Sequence, residues 1–379
     1  MKINTKQNTS RRAIAILLTL GMLLSSFLVF FTGCETKTEF ALPKRTLPEN
    51  AEQQKFSSFR YKVYDDDTVL LTEYKGEESE IVIPDTIEGK KVVALGDEMF
   101  YENRNLTSIQ LGKYVESVGA QCFTRCVNLE TITLSECLWS IAAYAFDGTP
   151  WLDNLVNPPK PETPAETTAD GETVPVETEV QEKNPADDFL IVGDGVLLRY
   201  LGNDKNIVIP DTVRHIANAF TMTDIISVQM PDSVYTIGEF AFAFCESMAL
   251  IEFSKNLLLI GEGAFYGCFS LPSVILPEKL EVIEPMAFYE CKYMTNVRCN
   301  DNLRSIGECA FYNCMQLRMV YLPVSITVLP TDAFGECLVL ELVLYGGDEA
   351  AFKAIKTDSS NYPLLDATIV YNATRENGR

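Results

Sequence analysis

Eight apolar positions recur along this chain every 23 residues, and this repeat limits the possible folds more than any other feature of the sequence. Residues 274–296 and 297–319 are the clearest consecutive copies. In the first copy the eight positions are Val274, Leu276, Leu280, Ile283, Ala287, Phe288, Cys291 and Met294. In the second copy they are Val297, Cys299, Leu303, Ile306, Ala310, Phe311, Cys314 and Leu317. A fixed period of this length predicts a solenoid, in which each repeat buries its apolar face against its neighbours.

Each repeat opens with a short extended segment that a proline often ends. In the clearest copy, residues 274–276 are Val-Ile-Leu, and Pro277 follows. Such segments are expected to pair in a parallel sheet on one face, with strands about 4.8 Å apart. The later Ala-Phe pair is expected to place one phenylalanine ring per repeat in a stack along the interior. The copies begin at Ile81, Ile109, Ile132, Ile207, Val228, Ile251, Val274, Val297 and Val320.

The copies fall into two groups, and a β-rich apolar segment precedes each group. Residues 59–74 and 189–200 predict β-hairpins that turn at an aspartate run and at a Gly-Asp-Gly run. We therefore assign a hairpin with repeats to residues 59–156 and again to residues 189–345. The sequence leaves open whether the two groups form one continuous solenoid.

The pattern changes after Val343, where a terminal repeat has to cover the exposed end of the stack. We assign residues 346–372 to a C-terminal cap, with a short helix at about residues 348–356 and a closing strand at residues 367–371. Residues 373–379 are assigned to a tail.

An insertion at residues 157–188 separates the two groups of repeats. It holds six prolines and nine acidic residues, with almost nothing apolar. Because such a segment cannot offset the entropy cost of ordering its backbone, we expect it to be disordered.

The amino terminus has the layout of an export signal. Residues 1–12 are basic, residues 13–31 are apolar, and Cys34 follows a threonine and a glycine. We assign residues 1–33 to a signal peptide and residues 34–58 to a polar tether. Two alternatives stay open: the apolar run is long enough to remain as an uncleaved membrane anchor, or the signal is an ordinary one with an incidental cysteine. All three interpretations place the rest of the chain outside the cytoplasm.

The amino terminus and the 23-residue repeat each resemble a known family of sequences. Residues 31–34, Phe-Thr-Gly-Cys, are similar to a bacterial lipobox, although Phe31 replaces the usual leucine. That resemblance implies a lipid on Cys34 and an anchor in the bacterial cell membrane. The repeat resembles the BspA-like leucine-rich repeats of bacterial surface proteins, whose pattern V-x-[IL]-P-x-x-[VL]-x-x-I-x-x-x-A-F-x-x-C-x-x-L is matched from Val228 to Leu340. It implies an α/β leucine-rich repeat solenoid, display outside the cell, and protein binding or adhesion without catalysis.

The composition excludes several kinds of partner and site. The net charge of −22 argues against a nucleic acid, because phosphate binding needs a basic surface. His215 is the only histidine, which excludes histidine triads and multi-histidine metal sites within this chain, and we expect a surface or packing role for it. Six of the 11 cysteines occupy one repeat position, so we interpret them as buried packing residues and leave their redox state open. No metal, cofactor or catalytic residue is predicted.

A binding surface is predicted on the face of the sheet. Residues that flank the inward position of each strand point outward, and several of them are apolar or aromatic in the later repeats. We expect Ile275, Arg298, Met319 and Tyr321 to form the centre of a patch that binds an unidentified protein of a host or neighbouring cell. The chain is expected to act as a monomer. The sequence leaves open whether the cap covers the outward residues of the next strand.

Three functions are compatible with these features. We favour a surface-anchored protein that binds or adheres to another protein. A structural display stalk or glycan-associated scaffold would instead depend on the insertion and would lack a discrete site. An enzyme with a carboxylate site would need clustered acids in a pocket, which a flat repeat face does not favour.

Overall fold

The structure is a computed structural model that describes residues 40–158, 166–167, 173–174 and 185–376. The predicted signal peptide, the lipidation candidate Cys34 and most of the predicted insertion lie outside the described residues. Within them, the chain coils as a parallel β-solenoid, and most turns contribute two short strands. Equivalent strands of successive turns pair in parallel, each residue lying opposite the residue one period later. The predicted 23-residue repeat solenoid is confirmed.

The first strand of each repeat is the apolar segment that the sequence predicted. Its central residue, such as Val274 or Val297, is buried, and the residues on either side point outward. These strands form three parallel sheets. Their bounds are Glu80–Val82, Ser108–Gln110 and Thr131–Thr133, then Asn206–Val208, Ser227–Gln229 and Leu250–Glu252, and finally Ser273–Ile275, Asn296–Arg298, Met319–Leu322, Leu342–Tyr345 and Thr368–Val370.

A second set of strands, mostly two residues long, was not predicted from the sequence. In Val282–Ile283 the inward residue is Ile283, and the residue before it is partly exposed. Many of these residues are β-branched and therefore favour an extended backbone. The bounds are Lys90–Leu95, Ser117–Val118 and Ser140–Ile141, then His215–Ile216, Thr236–Ile237, Leu259–Ile260, Val282–Ile283 and Ser305–Ile306, and last the pair Val328–Leu329 and Lys356–Thr357.

The sheets of first strands are interrupted just before Ser273–Ile275, and Pro272 provides the physical reason. At this position in the next repeat, Thr295 donates its N–H to the carbonyl oxygen of Pro272 at 2.7 Å. Since proline has no N–H, the equivalent bond from Pro272 to the preceding repeat cannot form. Leu250 and Ile275, outward residues on either side of the break, are 54% and 62% exposed.

One phenylalanine ring per repeat stacks along the interior, as predicted. In the second group the rings run from Phe220 to Phe334 with centroids 5.0–5.3 Å apart and nearly parallel planes. In the first group Phe100, Phe123 and Phe146 stack at 5.2 and 5.4 Å. All of these rings are buried. Each repeat therefore adds an aromatic contact to its neighbour, and stability accumulates along the stack.

The turns on either side of each Ala-Phe pair need a left-handed backbone. In the repeat that begins at Ile251, glycine occupies both positions, Gly263 with φ 57° and Gly267 with φ 68°. The next repeat holds Met286 at 55° and Glu290 at 56°. A side chain in this conformation costs about 1–2 kcal/mol. Burial of the phenylalanine between the two turns offsets that cost.

The first hairpin begins the sheet of second strands. Strands Gln54–Phe56, Phe59–Val63 and Val69–Tyr74 pair antiparallel. The last of them pairs in parallel with Lys90–Leu95 of the first repeat. A two-residue strand, Thr86–Ile87, pairs antiparallel with the start of that strand. The hairpin therefore covers the amino-terminal end of this sheet.

The second hairpin, formed by Phe189–Val192 and Val196–Tyr200, forms a partition between the two groups of repeats. Val196 and Leu198 belong to the core of the first group, whereas Leu197 belongs to the core of the second. Successive side chains of a strand point to opposite faces, so both faces of this hairpin are buried. This burial explains why its sequence is a nearly continuous apolar run.

Direct bonds also cross the junction between the two groups. The backbone N–H of Asp194 donates to the carbonyl oxygen of Leu138 at 2.7 Å. The N–H of Ala143 donates to the carboxylate of Glu239 at 3.3 Å. The two groups therefore stack end to end through the hairpin, which settles the question that the sequence left open.

The segment before the first hairpin packs against the solenoid from Phe40 on. The ring of Phe40 stacks on Tyr235 with centroids 4.7 Å apart, and the edge contact with Trp139 is 5.2 Å. The guanidinium group of Arg45 lies 2.9 Å from the carboxylate of Glu116. Because Trp139 and Tyr235 belong to different groups of repeats, Phe40 bridges the junction.

The carboxyl end is closed by two short helices and a strand. Helix Glu349–Ala354 begins after Asp348, whose carboxylate accepts a hydrogen bond from the first turn at 2.8 Å. A 3-10 turn at Ser359–Asn361 leads into helix Tyr362–Asp366. Strand Thr368–Val370 then pairs in parallel with strand Leu342–Tyr345. This arrangement is the predicted C-terminal cap.

Another helix, Pro150–Val156, ends the first group of repeats. The hydroxyl group of Thr149 caps it by accepting a hydrogen bond from a first-turn N–H at 3.2 Å. The described residues of the predicted insertion add an antiparallel pair of short strands, Glu166–Thr167 and Thr173–Val174, and a 3-10 turn at Pro185–Asp188.

Candidate functional site

The four residues of the predicted binding patch share one face of the sheet, but only two of them reach solvent. Ile275 lies opposite Arg298, which lies opposite Tyr321 in the next strand. Ile275 is 62% exposed, and Arg298 is half-buried. Met319 and Tyr321 are only 8% and 3% exposed, so the prediction that these two residues are available to a partner is wrong.

The C-terminal tail covers this end of the sheet. Asn372 has φ 53°, a left-handed conformation that turns the chain back after the closing strand. The N–H of Ala373 then donates to the carbonyl oxygen of Tyr345 at 2.9 Å. Ala373 is buried and belongs to the apolar core of the second group of repeats. The sequence pattern of the repeat carries no information about this return of the chain.

The tail continues across the sheet to its far strand. The guanidinium group of Arg375 donates to the backbone carbonyl of Leu276 and forms an ion pair with Glu278. Leu276 and Glu278 follow Ser273–Ile275, which is the strand at the opposite edge of the five-stranded sheet. The tail therefore spans the carboxyl ends of the strands and excludes a partner from this part of the face.

An exposed groove lies along the turns that precede the first strands of the last repeats. It has a volume of about 490 Å³. Tyr293 and Met315 are 58% and 54% exposed, and Val339 is 37% exposed. The groove is lined by Phe269, Lys292, Tyr293, Met315, Gln316, Arg318 and Val339.

The apolar residues of this groove occupy repeat positions that the solenoid leaves free. In the last four repeats the residue after the recurrent cysteine is Phe269, Lys292, Met315 or Leu338. In earlier repeats the same position holds Arg104, Val127, Asp224 or Glu246. These turn residues add little to the core, so a row of exposed apolar side chains among them indicates an interaction surface.

This groove was not predicted from the sequence, although its signal is visible there. The residue pairs that follow Cys291, Cys314 and Cys337 are Lys-Tyr, Met-Gln and Leu-Val. Outward positions were assigned only beside the strands, so the turn positions were missed.

The recurrent cysteines are packing residues with a hydrogen-bonding role. The thiols of Cys268, Cys291 and Cys314 donate to carbonyl oxygens of phenylalanines in the neighbouring repeat at 3.2, 3.3 and 3.4 Å. Burial raises the pKa of each of these thiols, so they are neutral at physiological pH and poor nucleophiles. Nine cysteines of the described part of the chain are free. The interpretation of the recurrent cysteines as packing residues is confirmed.

His215 is buried beside the junction between the two groups of repeats. Its Nδ1 atom lies 2.5 Å from the hydroxyl oxygen of Thr236, and its Nε2 atom lies 3.4 Å from the carbonyl oxygen of Ile141. Burial lowers the pKa of the imidazole to about 4, so the ring is neutral at physiological pH. These contacts agree with the packing role expected from the sequence.

Neither a metal-binding cluster nor a membrane-spanning helix occurs in the described residues. Within them, no group of three or more His, Cys, Asp or Glu side chains is placed to hold a metal ion. No helix in the described ranges is long and apolar enough to cross a membrane. Cys34 lies outside those ranges, so its lipidation stays a prediction.

The turns, the phenylalanine stack and the 23-residue period together define a leucine-rich repeat solenoid. The chain belongs to the family described as BspA type leucine rich repeat region. The model of that family matches residues 77–164 and 214–341 in six copies, which is more than half of the chain. The family is one of repeat proteins, and no enzymatic family is indicated.

Solved structures of bacterial leucine-rich repeat proteins are similar to this chain. A leucine rich cell surface protein from Faecalibacterium prausnitzii A2-165 is 23% identical, with 81% of this chain and 98% of that chain covered and a TM-score of 0.34. A leucine-rich repeat protein from Bacteroides ovatus is 19% identical, with 88% and 78% covered and a TM-score of 0.34. The T. pallidum leucine rich repeat protein is 18% identical, with 85% and 100% covered and a TM-score of 0.31. No curated protein sequence matches the chain.

Proposed function

We propose that this protein is anchored on the outside of a bacterial cell membrane and binds another protein through the groove between Phe269 and Val339. The observation that carries the proposal is the row of exposed apolar side chains at turn positions with no packing role. Tyr293 and Met315 are the most exposed of the apolar residues that line the groove. The BspA-type repeat, with its resemblance to bacterial surface proteins, supports a binding role rather than catalysis.

The site differs from the patch predicted at Ile275, Arg298, Met319 and Tyr321. Ile275 and Arg298 remain accessible in part. Met319 and Tyr321 are buried and contribute to the fold. The partner is expected to be a protein of a host or of a neighbouring cell, bound by a monomer.

The anchor rests on the amino-terminal sequence alone. The basic segment, the apolar run and the residues 31–34 support cleavage before Cys34 and attachment of a lipid to that cysteine. Mass spectrometry of the mature protein is expected to find a lipid-modified Cys34 as the first residue. An intact Met1 would reject the lipid anchor and favour the uncleaved membrane segment.

Binding can be tested with the mature chain on a panel of purified extracellular matrix proteins, serum proteins and glycans. We expect at least one protein to bind, and we expect the double substitution Tyr293→Ser and Met315→Ser to weaken binding by about tenfold or more. Val127→Ser is the matched control, because Val127 follows the recurrent cysteine in the first group and is 51% exposed. Unchanged binding by the double variant would contradict the site, and binding to glycans alone would favour the scaffold alternative.

A further inference from the structure

The groove differs in charge from the rest of the chain. The protein has a net charge of −22, with 53 acidic residues against 31 lysines and arginines. The residues that line the groove include two cations, Lys292 and Arg318, and no carboxylate. A cationic lining is complementary to an anionic ligand, because opposite charges attract. The acidic surface elsewhere on the protein repels such a ligand.

Lys292 is held beside the groove by contacts on two sides. Its ammonium group lies 4.6 Å from the ring centroid of Phe269, a cation–π distance. It also lies 3.2 Å from the carboxylate of Glu290. An ammonium group has three donors, so one carboxylate partner leaves donors for a ligand. The contact with Phe269 reduces the freedom that the side chain would lose on binding.

Arg318 provides the second cation of the groove. One guanidinium nitrogen lies 3.0 Å from the carboxylate of Glu341, and the two side chains are 58% and 68% exposed. An ion pair this exposed contributes little to stability, so its partner can be exchanged at low cost. A guanidinium group has five donors in a planar fork that matches a carboxylate. Arg318 is therefore suited to bind a carboxylate of a ligand.

The rest of the groove is apolar. Tyr293, Met315 and Val339 contribute exposed side chains to it. Methionine adapts its shape to different partners, since its side chain is unbranched and polarizable. A volume of about 490 Å³ accommodates one or two large side chains rather than a folded domain. The groove thus combines an apolar surface with two cations.

Resting on the proposed function, we propose that the partner presents an acidic peptide segment, in which a large apolar side chain is flanked by aspartate or glutamate. The apolar side chain packs against Tyr293 and Met315. The flanking carboxylates bind Lys292 and Arg318. This pairing selects for the anionic segment, while an equally apolar but basic segment is repelled by Lys292 and Arg318.

A phage-displayed random dodecapeptide library selected on the mature full chain tests this proposal. Selected peptides are expected to carry Asp or Glu next to Leu, Phe or Trp. Their affinity is expected to fall by about tenfold in the double variant Lys292→Gln and Arg318→Gln. It is also expected to fall with rising salt, which screens exposed charges. Lys255→Gln is the matched control, because this exposed lysine pairs with Asp232 outside the groove lining.

Two outcomes would overturn the proposal in different ways. Selection of basic or uncharged peptides that still depend on Tyr293 and Met315 would reject the acidic chemistry and leave the proposed function intact. If no selected peptide depends on the groove residues, the peptide site itself is rejected, and the panel of extracellular proteins decides the proposed function separately. Circular dichroism of each variant checks that the fold is retained.

Discussion

The hydroxyl group of Tyr321 donates a hydrogen bond to the carboxylate of Asp301 at 2.7 Å. Burial raises the pKa of this tyrosine, and the bond to Asp301 raises it further. Asp301 belongs to the preceding repeat, so the bond ties two turns of the solenoid together. It also holds the ring against the sheet, where Tyr321 is only 3% exposed. An aromatic residue at an outward position is thereby made part of the fold.

The tail depends on Arg375. We expect Arg375→Gln to lower the free energy of unfolding by about 1 kcal/mol and to speed proteolysis within residues 371–376. The reason is loss of the ion pair with Glu278 and of the bond to the Leu276 carbonyl. Urea denaturation and limited proteolysis measure the two effects. Arg304→Gln is the control, since Arg304 forms an exposed pair with Glu281; equal behaviour of the two variants would contradict the role of the tail.

Stability is expected to fall in acid because of His215. Its pKa is lowered from 6.5 to about 4 in the folded state, so the folded protein resists protonation of this ring. The stability that depends on the neutral His215 ring is fully present above pH 6.5. It is lost as the pH falls toward 4, by about 3 kcal/mol at most. Denaturation of wild type and His215→Gln across this range measures the difference. A difference that does not change with pH would contradict the buried neutral histidine.

Among the free thiols of the described residues, one is expected to react in the native protein. Cys309 is partly exposed, whereas the other free cysteines in the described part of the chain are buried. Partial burial and neighbouring acids raise the pKa of Cys309, so we expect a slow reaction with a thiol reagent at pH 8. Cys309→Ser should remove this phase, and Cys291→Ser should leave it unchanged. A reaction of the same rate that survives in Cys309→Ser would contradict the assignment to this thiol.

Phe40 is expected to stabilise the junction between the two groups of repeats. We expect Phe40→Ser to lower the free energy of unfolding by about 2 kcal/mol, from lost apolar burial and two aromatic contacts. Trp139, which contacts this ring, should then emit at a longer wavelength. Leu47→Ser, at an exposed residue of the same segment, is the control. Identical stability and emission in both variants would show that the segment is only loosely associated.

Much of the fold was predictable because the repeat is local. The period located Val274, Phe288 and Cys291 at buried positions, and the structure places all three in the core. The second strands were missed, because two residues are too few to give a recognisable alternation. The partition formed by the second hairpin was also missed. The apolar run from Val196 to Leu198 implies that both faces of the hairpin are buried. It does not show which segments pack against each face.

The candidate site was less predictable than the fold. The sequence by itself determined the period, the inward residues, the stacked rings and the two hairpins, because each of these depends on apolar spacing within one or two repeats. Only the tertiary structure decided which outward residues stay exposed. Tyr321 is buried at the end of the sheet that the C-terminal tail crosses, whereas Tyr293 and Met315 are exposed. The exposure of a surface side chain depends on contacts between segments that lie far apart in the chain, and a repeat pattern does not record those contacts.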